Sequence, residues 1–258
     1  MKKINLGIPD IEDLTKKGFK CLDLHMHSTF SDGTNTPEEI VAIAKKKNLI
    51  ISITDHNEIK GVKKAIELDN KRVIPGIELT SRNAKDILVY FYNLKDLEDF
   101  YEKYIKHKKI HPRRGFDLKC LKLSMKDILN ALKKYKCLKV IPHPFALKPK
   151  TNYRYFKKRQ KILEQMDAIE VLQSMQTRKK TLKSIGWAEV SHKPMFGGSD
   201  AHTSDIIGSV ITAVKSKSLN EILSQIKKNK TFIFGSELTI YNKLKIYLKI
   251  ILSNISLK

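Results

Sequence analysis

Leu22-Asp23-Leu24-His25-Met26-His27-Ser28-Thr29-Phe30-Ser31-Asp32-Gly33 is the stretch on which the fold turns. A short apolar run, Cys21 to Leu24, leads into two histidines two positions apart. Side chains two apart on a strand share a face, so His25 and His27 can converge on one ion at the strand's end. Ser31-Asp32-Gly33 has turn chemistry and can fold Asp32 back toward the same place. Imidazole and carboxylate together suit zinc, manganese or iron. The rival reading is a strand whose histidines are merely satisfied core residues; the rest of the chain weighs against it.

Outward from this stretch, strand-like and helix-like segments alternate. Apolar runs at 20–24, 49–54, 72–77, 87–92, 138–142, 168–172 and 194–199 read as strands. Stripes at helical spacing over 94–109, 124–135, 153–166 and 178–190 read as helices, as does the stretch that Thr36 caps and Pro37 opens. Strands alternating with helices of this length predict βα units, a parallel sheet and a closed barrel. In such barrels the reactive groups sit at the C-terminal ends of the strands. Those ends carry His25 and His27, then His56, Glu78, His143, and Asp200 with His202; Asp32 follows in the first turn. Eight such donors are too many for one tetrahedral zinc. They suit two or three ions sharing bridging carboxylates. Clustered cations clamp the attacking and leaving oxygens of a displacement at phosphorus and lower the pKa of a bound water.

The composition sets bounds around this site. The 258 residues suffice for one large α/β domain. Lys plus Arg number 50 against 27 Asp plus Glu, a net charge of +23. That balance favours anionic partners: phosphorylated metabolites, nucleic acid or an acidic membrane surface. The excess is spread over many segments rather than held in one block. Three cysteines, Cys21, Cys120 and Cys137, without CxxC spacing argue against a disulfide framework and for a reducing, cytoplasmic compartment. The expected division is a leader over 1–19, a barrel domain over 20–235 and a basic amphipathic helix over 236–258.

The motifs His25-Met26-His27 with Ser31-Asp32-Gly33, Ile53-Thr54-Asp55-His56-Asn57, Pro75-Gly76-Ile77-Glu78, Pro142-His143-Pro144 and Gly198-Ser199-Asp200-Ala201-His202 occur in this order. The set resembles the PHP family, the polymerase and histidinol phosphatase domain. The resemblance implies a distorted (β/α)7 TIM-like barrel with a di- or trinuclear site that hydrolyses phosphate esters. It places His25, His27, Glu78 and Asp200 on one ion, Glu78 and His143 on a second, and Asp32, His56 and His202 on a third. The metals implied are manganese, zinc, iron or magnesium. Fuller sites carry a further histidine between the glutamate and the His-Pro motif; only His107 and His111 lie there.

The resemblance is nearest to short stand-alone members. It implies hydrolysis of phosphate monoesters or nucleotides by a metal-bound hydroxide, or 5′–3′ exonuclease action on short RNA or DNA. A metal-binding scaffold without turnover is the non-enzymatic alternative. The leaving phosphate needs cationic partners, ideally the bidentate guanidinium of Arg; Arg178 comes first, then Arg82, Arg113 and Arg114. Asp55 is placed to orient His56 or its neighbours. The tail, Tyr241 to Leu252, mixes Lys with large apolar residues. Docking on the barrel or on a partner chain is the favoured reading, with contact to an anionic membrane as the alternative.

Overall fold

The computed structural model describes residues 2–108, 120–146 and 151–256. The chain begins with β1 (Ile4–Leu6), α1 (Ile11–Lys16), β2 (Lys20–Asp23), α2 (Pro37–Lys46), β3 (Leu49–Ile51) and α3 (Lys60–Leu68). There follow β4 (Gly76–Thr80), β5 (Asp86–Phe91) and α4 (Leu94–Phe100), which runs into a π-helical turn at Tyr101–Ile105. After α5 (Met125–Leu132) and β6 (Cys137–Ile141) come the short helices α6 (Tyr153–Lys157) and α7 (Gln160–Leu163). The chain closes with β7 (Ala168–Leu172), α8 (Arg178–Val190), β8 (Met195–Gly197), β9 (Val210–Val214), α9 (Leu219–Lys227), β10 (Thr231–Gly235) and α10 (Ile240–Ser256).

Two mixed five-stranded sheets result, ordered β1-β10-β9-β2-β3 and β4-β5-β6-β7-β8. Parallel pairing holds for β2–β3, β6–β7 and β7–β8, as the alternation predicts. The all-parallel expectation fails at β4–β5, β5–β6, β9–β10 and β2–β9, which are antiparallel. For β4–β5 the reason is chain length: only residues 81–85 separate the two strands, far too few for a crossover helix. The expected strand at 72–77 therefore sits later, at Gly76–Thr80, and Glu78 lies inside it rather than at its end. Hydrogen bonding does not run round one closed ring. The sheets meet at isolated bridges, Ile51–Val73 and His56–Glu78 on one side and Met26–Ala201 on the other.

The helices carry their own stop and start signals. At α2, Thr36 and Glu39 form a reciprocal capping box, and Ile40, Val41 and Ala44 face the core; such a cap contributes about 1 kcal/mol. The helix expected over 153–166 is broken in two by Arg159, whose backbone (φ −134°, ψ 68°) is not helical. The N-terminal stretch expected to be a leader supplies an edge strand, β1 pairing in parallel with β10, and α1, whose Leu14 is buried.

Cys21 and Cys137 are buried among apolar neighbours, and burial pushes both thiols up to about 11. At pH 8 both are expected to resist a disulfide-exchange reagent in the native protein and to react fully once it is unfolded. Fast titration without denaturant would refute their burial.

Candidate metal centre

β2, β3 and β8 are short strands with little exposed surface, and the segments that follow them carry His25 and His27, His56, and Asp200 and His202 to one place. Met26 is fully buried, and the alternation turns His25 and His27 on either side of it away from that packing. His27 N–H donates to the Ala201 carbonyl (2.8 Å), which docks the segment from β2 beside the one from β8. Gly33 closes the turn after His27: a Cβ there would meet the His27 carbonyl oxygen at 2.1 Å. Glu78 reaches in from β4, beside His56. Backbone strain marks two of these positions, His143 at φ +28° and Asp200 at φ +54°.

All eight expected donors converge, in four overlapping triples: His25, Glu78 and His143; His25, His27 and Asp200; His27, Asp32 and His202; His27, His56 and Glu78. His25 Nε2 and His27 Nε2 lie 3.4 and 3.3 Å from Glu78 Oε2, and each lies 3.3 Å from Asp200 Oδ1. His143 Nε2 is 3.2 Å from Glu78 Oε1. His202 Nε2 and His56 Nε2 face Asp32 Oδ2 at 3.3 and 3.7 Å. Two donors about 2.1 Å from one cation at the tetrahedral angle lie roughly 3.4 Å apart. The spacing suits neighbouring ligands of a shared cation, although His143–Glu78 and His202–Asp32 also meet hydrogen-bond geometry. His25 Nε2, both nitrogens of His27 and Glu78 Oε2 are buried with no hydrogen-bonding partner. Such atoms are costly unless something else binds them, and their chemistry fits divalent cations.

The facing carboxylates and imidazoles shift one another's ionisation. Burial would depress the His27 imidazole, but Asp32, Asp200 and Glu78 outweigh it and push it up to about 10. Burial likewise opposes ionisation of Glu78 and Asp200, and partial enclosure that of Asp32, yet the facing histidines hold all three well below the usual carboxylate range.

Several supporting groups escaped the sequence reading. Glu170, fully buried on β7, sits 2.8 Å from His25 Nδ1 and accepts from His143 N–H at 2.8 Å. A proton on Nδ1 leaves the Nε2 lone pair of His25 facing the cluster. Thr80 Oγ1 is 3.0 Å from His56 Nδ1, and the Asp200 carbonyl 3.0 Å from His202 Nδ1, fixing those rings likewise. Asp23 accepts from Ser199 N–H and Gly208 N–H, tying both ends of the segment that bears Asp200 and His202 to β2. Asp55, which the sequence reading did single out to orient His56 or its neighbours, accepts from Ser28 N–H, Ser28 Oγ and Ser31 Oγ and so pins the turn that presents Asp32. Glu170 left a signal: it is the one charged residue in Ala168-Ile169-Glu170-Val171-Leu172.

Other expected residues are placed elsewhere. His107 is exposed and joins no donor group among the described residues. His111, Arg113 and Arg114 lie outside the described residues. Arg178 is committed to Glu237, with Nε 2.9 and 3.1 Å from its carboxylate oxygens. Arg82 is exposed beyond the end of β4. The cluster is closed around His25, His27 and Glu78 and opens toward Asp32, whose side chain is 43% exposed, and His202 at 20%.

Two mixed sheets with an eight-residue donor cluster at their seam define an α/β protein with a candidate metal centre. Residues 23–233 match the PHP domain model, and the chain belongs to that family. No curated protein matches the sequence. Among solved structures, PsfC from Pseudomonas syringae is similar with a TM-score of 0.61 at 18% identity, over 93% of this chain and 100% of that one. A two-domain Bacteroides vulgatus protein containing a predicted PHP-like metal-dependent phosphoesterase is similar with a TM-score of 0.60 at 19% identity, over 96% and 74%. The lesion-specific endonuclease EndoQ from Pyrococcus furiosus gives 0.62 at 19%, over 83% of this chain and 57% of the endonuclease. At these identities the likeness is one of fold.

Proposed function

We propose that the protein is a metal-dependent phosphoesterase that hydrolyses phosphate monoesters or nucleotides. In this reading the two sheets are the halves of a distorted (β/α)7 barrel. The observation that carries the proposal is the convergence of eight donors with their buried nitrogens and Glu78 Oε2 left without partners. His25, His27, Asp32, His56, Glu78, His143, Asp200 and His202 would hold two or three divalent cations. Such ions supply an activated water at neutral pH and positive charge for the phosphoryl oxygens. The chain's own groups do the rest. Glu170, Thr80 and the Asp200 carbonyl fix the histidine rings. Burial of His25, His27 and Glu78 excludes bulk water. The open side at Asp32 and His202 admits the ester. Arg82 is the described guanidinium proposed to meet the phosphate.

A second reading, 5′–3′ exonuclease action on short oligonucleotides, is favoured by the net charge of +23. A similar structure, Endonuclease Q, was solved with a 27-mer duplex bearing an abasic lesion at its active site. The purified protein, loaded with Mn²⁺, is tested on small phosphate esters, nucleotides and a 5′-labelled oligonucleotide, beside His25→Ala. Hydrolysis by the wild type alone is expected. Hydrolysis that persists in His25→Ala, or none with any divalent ion, overturns the proposal. Cleavage of the oligonucleotide that falls steeply with salt, while small-ester hydrolysis does not, selects the nuclease reading.

The protonation pattern carries its own prediction. The His27 imidazole, raised to about 10, is protonated at neutral pH and must lose its proton to become a ligand. Cation binding should therefore release protons, and affinity should rise as the pH is raised from about 6 to 9. Titration calorimetry in buffers of different ionisation enthalpy measures the release directly. An enthalpy independent of buffer would show that the donors are already deprotonated.

A further inference from the structure

No helix among the described residues is long and apolar enough to cross a membrane, yet α10 exposes a broad apolar face. Ile246, which is buried, and the half-buried Ile250 pack one side of this helix against the body. On the opposite side Ile240, Tyr241, Leu244, Tyr247, Leu248 and Leu252 are between 51% and 79% exposed. At 100° per residue, Leu248 stands about 160° round the helix from Ile246. The apolar residues that spoil a single-stripe pattern in the sequence thus serve two surfaces, one docked and one bare. Among the described residues, half of the exposed large apolar side chains belong to this one helix, so they form a patch rather than scatter.

The charges around the patch select its occupant. Residues 240–258 contain four lysines and no acidic residue. Lys243 donates to the Gln176 carbonyl (2.7 Å) and Lys249 pairs with Asp205, which brace the helix on both flanks. Lys245 is exposed at the border of the apolar face. Lys243 brings the first turn of α10 to Gln176, just before α8, where Lys179 and Lys180 add further positive charge while Arg178 is paired with Glu237. A second copy of this face, packed about a two-fold axis, would set lysines against lysines with no acid in the helix to answer them. A surface of anionic phospholipid answers both features, with headgroups for Lys245 and the neighbouring Lys179 and Lys180 and acyl chains for the leucines.

We propose that α10 is an interfacial helix that lays the protein on an anionic lipid surface without spanning it. The full chain is sedimented with phosphatidylcholine vesicles, with and without phosphatidylserine, beside Leu244→Gln/Leu248→Gln. That pair alters exposed positions only and keeps the charge. Thermal unfolding followed by circular dichroism checks that the variant is folded. The wild type is expected to bind the phosphatidylserine vesicles, to be released by salt, and to bind at least tenfold more than the folded variant. Equal binding by the two forms overturns the proposal, because bulk positive charge then suffices. So does failure of the wild type to bind, binding that ignores phosphatidylserine, or a dimer in light scattering that the variant abolishes while vesicle binding stays absent.

Discussion

Glu78→Gln is expected to lower metal-dependent phosphoester hydrolysis by about three orders of magnitude, the scale of losing several kcal/mol of transition-state charge stabilisation. Metal content should fall with it. Glu78 is fully buried and stands among four histidines: His25, His27 and His143, each within 3.4 Å, and His56 at 3.5 Å. The amide preserves shape but removes the anion that two of the donor triples share. Uncompensated imidazolium charge would then face each incoming cation. Elemental analysis of the purified variant, together with turnover under saturating Mn²⁺, checks the prediction. A variant with wild-type metal content and wild-type turnover would remove Glu78 from the centre.

The second large effect concerns a residue that touches no proposed ion. Glu170→Gln should weaken metal affinity or activity by about 10- to 100-fold, the usual range for a carboxylate behind a ligating histidine. Two contacts are altered at once: Oε1 faces His25 Nδ1, and Oε2 accepts from the backbone of His143. A glutamine can still accept one of them, so the loss should be smaller than for Glu78. Gly198 tightens the same corner, since a Cβ there would meet His25 Cβ at 2.8 Å and Glu170 Oε1 at 3.3 Å. Competition with a fluorescent chelator gives the affinity. An unchanged value would mean that packing alone orients His25.

The candidate donors were legible because their chemistry is local. His25 and His27 stand at strand spacing, and the others follow apolar runs that have little choice but to be core. Glu170 was obscured because a single acid within a buried strand is normally taken as a solvent-facing position. Only a partner distant in sequence, His25, explains it. The antiparallel hairpin of β4 and β5 was hidden for a different reason. Its turn places Ala84 at φ +53°, where Gly or Asn would have announced a reversal. The split of the strands into two sheets depends on such turns and on pairing across the seam. Neither is written in hydrophobic periodicity.

The position of the cluster relative to that seam has a mechanical consequence. The β1-to-β3 sheet delivers His25, His27 and His56; the other delivers Glu78, His143, Asp200 and His202. Among the described residues, the backbone joins them near the site at the isolated bridges His56–Glu78 and Met26–Ala201 and where Thr34 N–H donates to the His202 carbonyl. Cations held there would act as rivets through both plates of the molecule. Chelation would then remove a fastener as well as a catalyst, leaving the two plates freer to shear along their join.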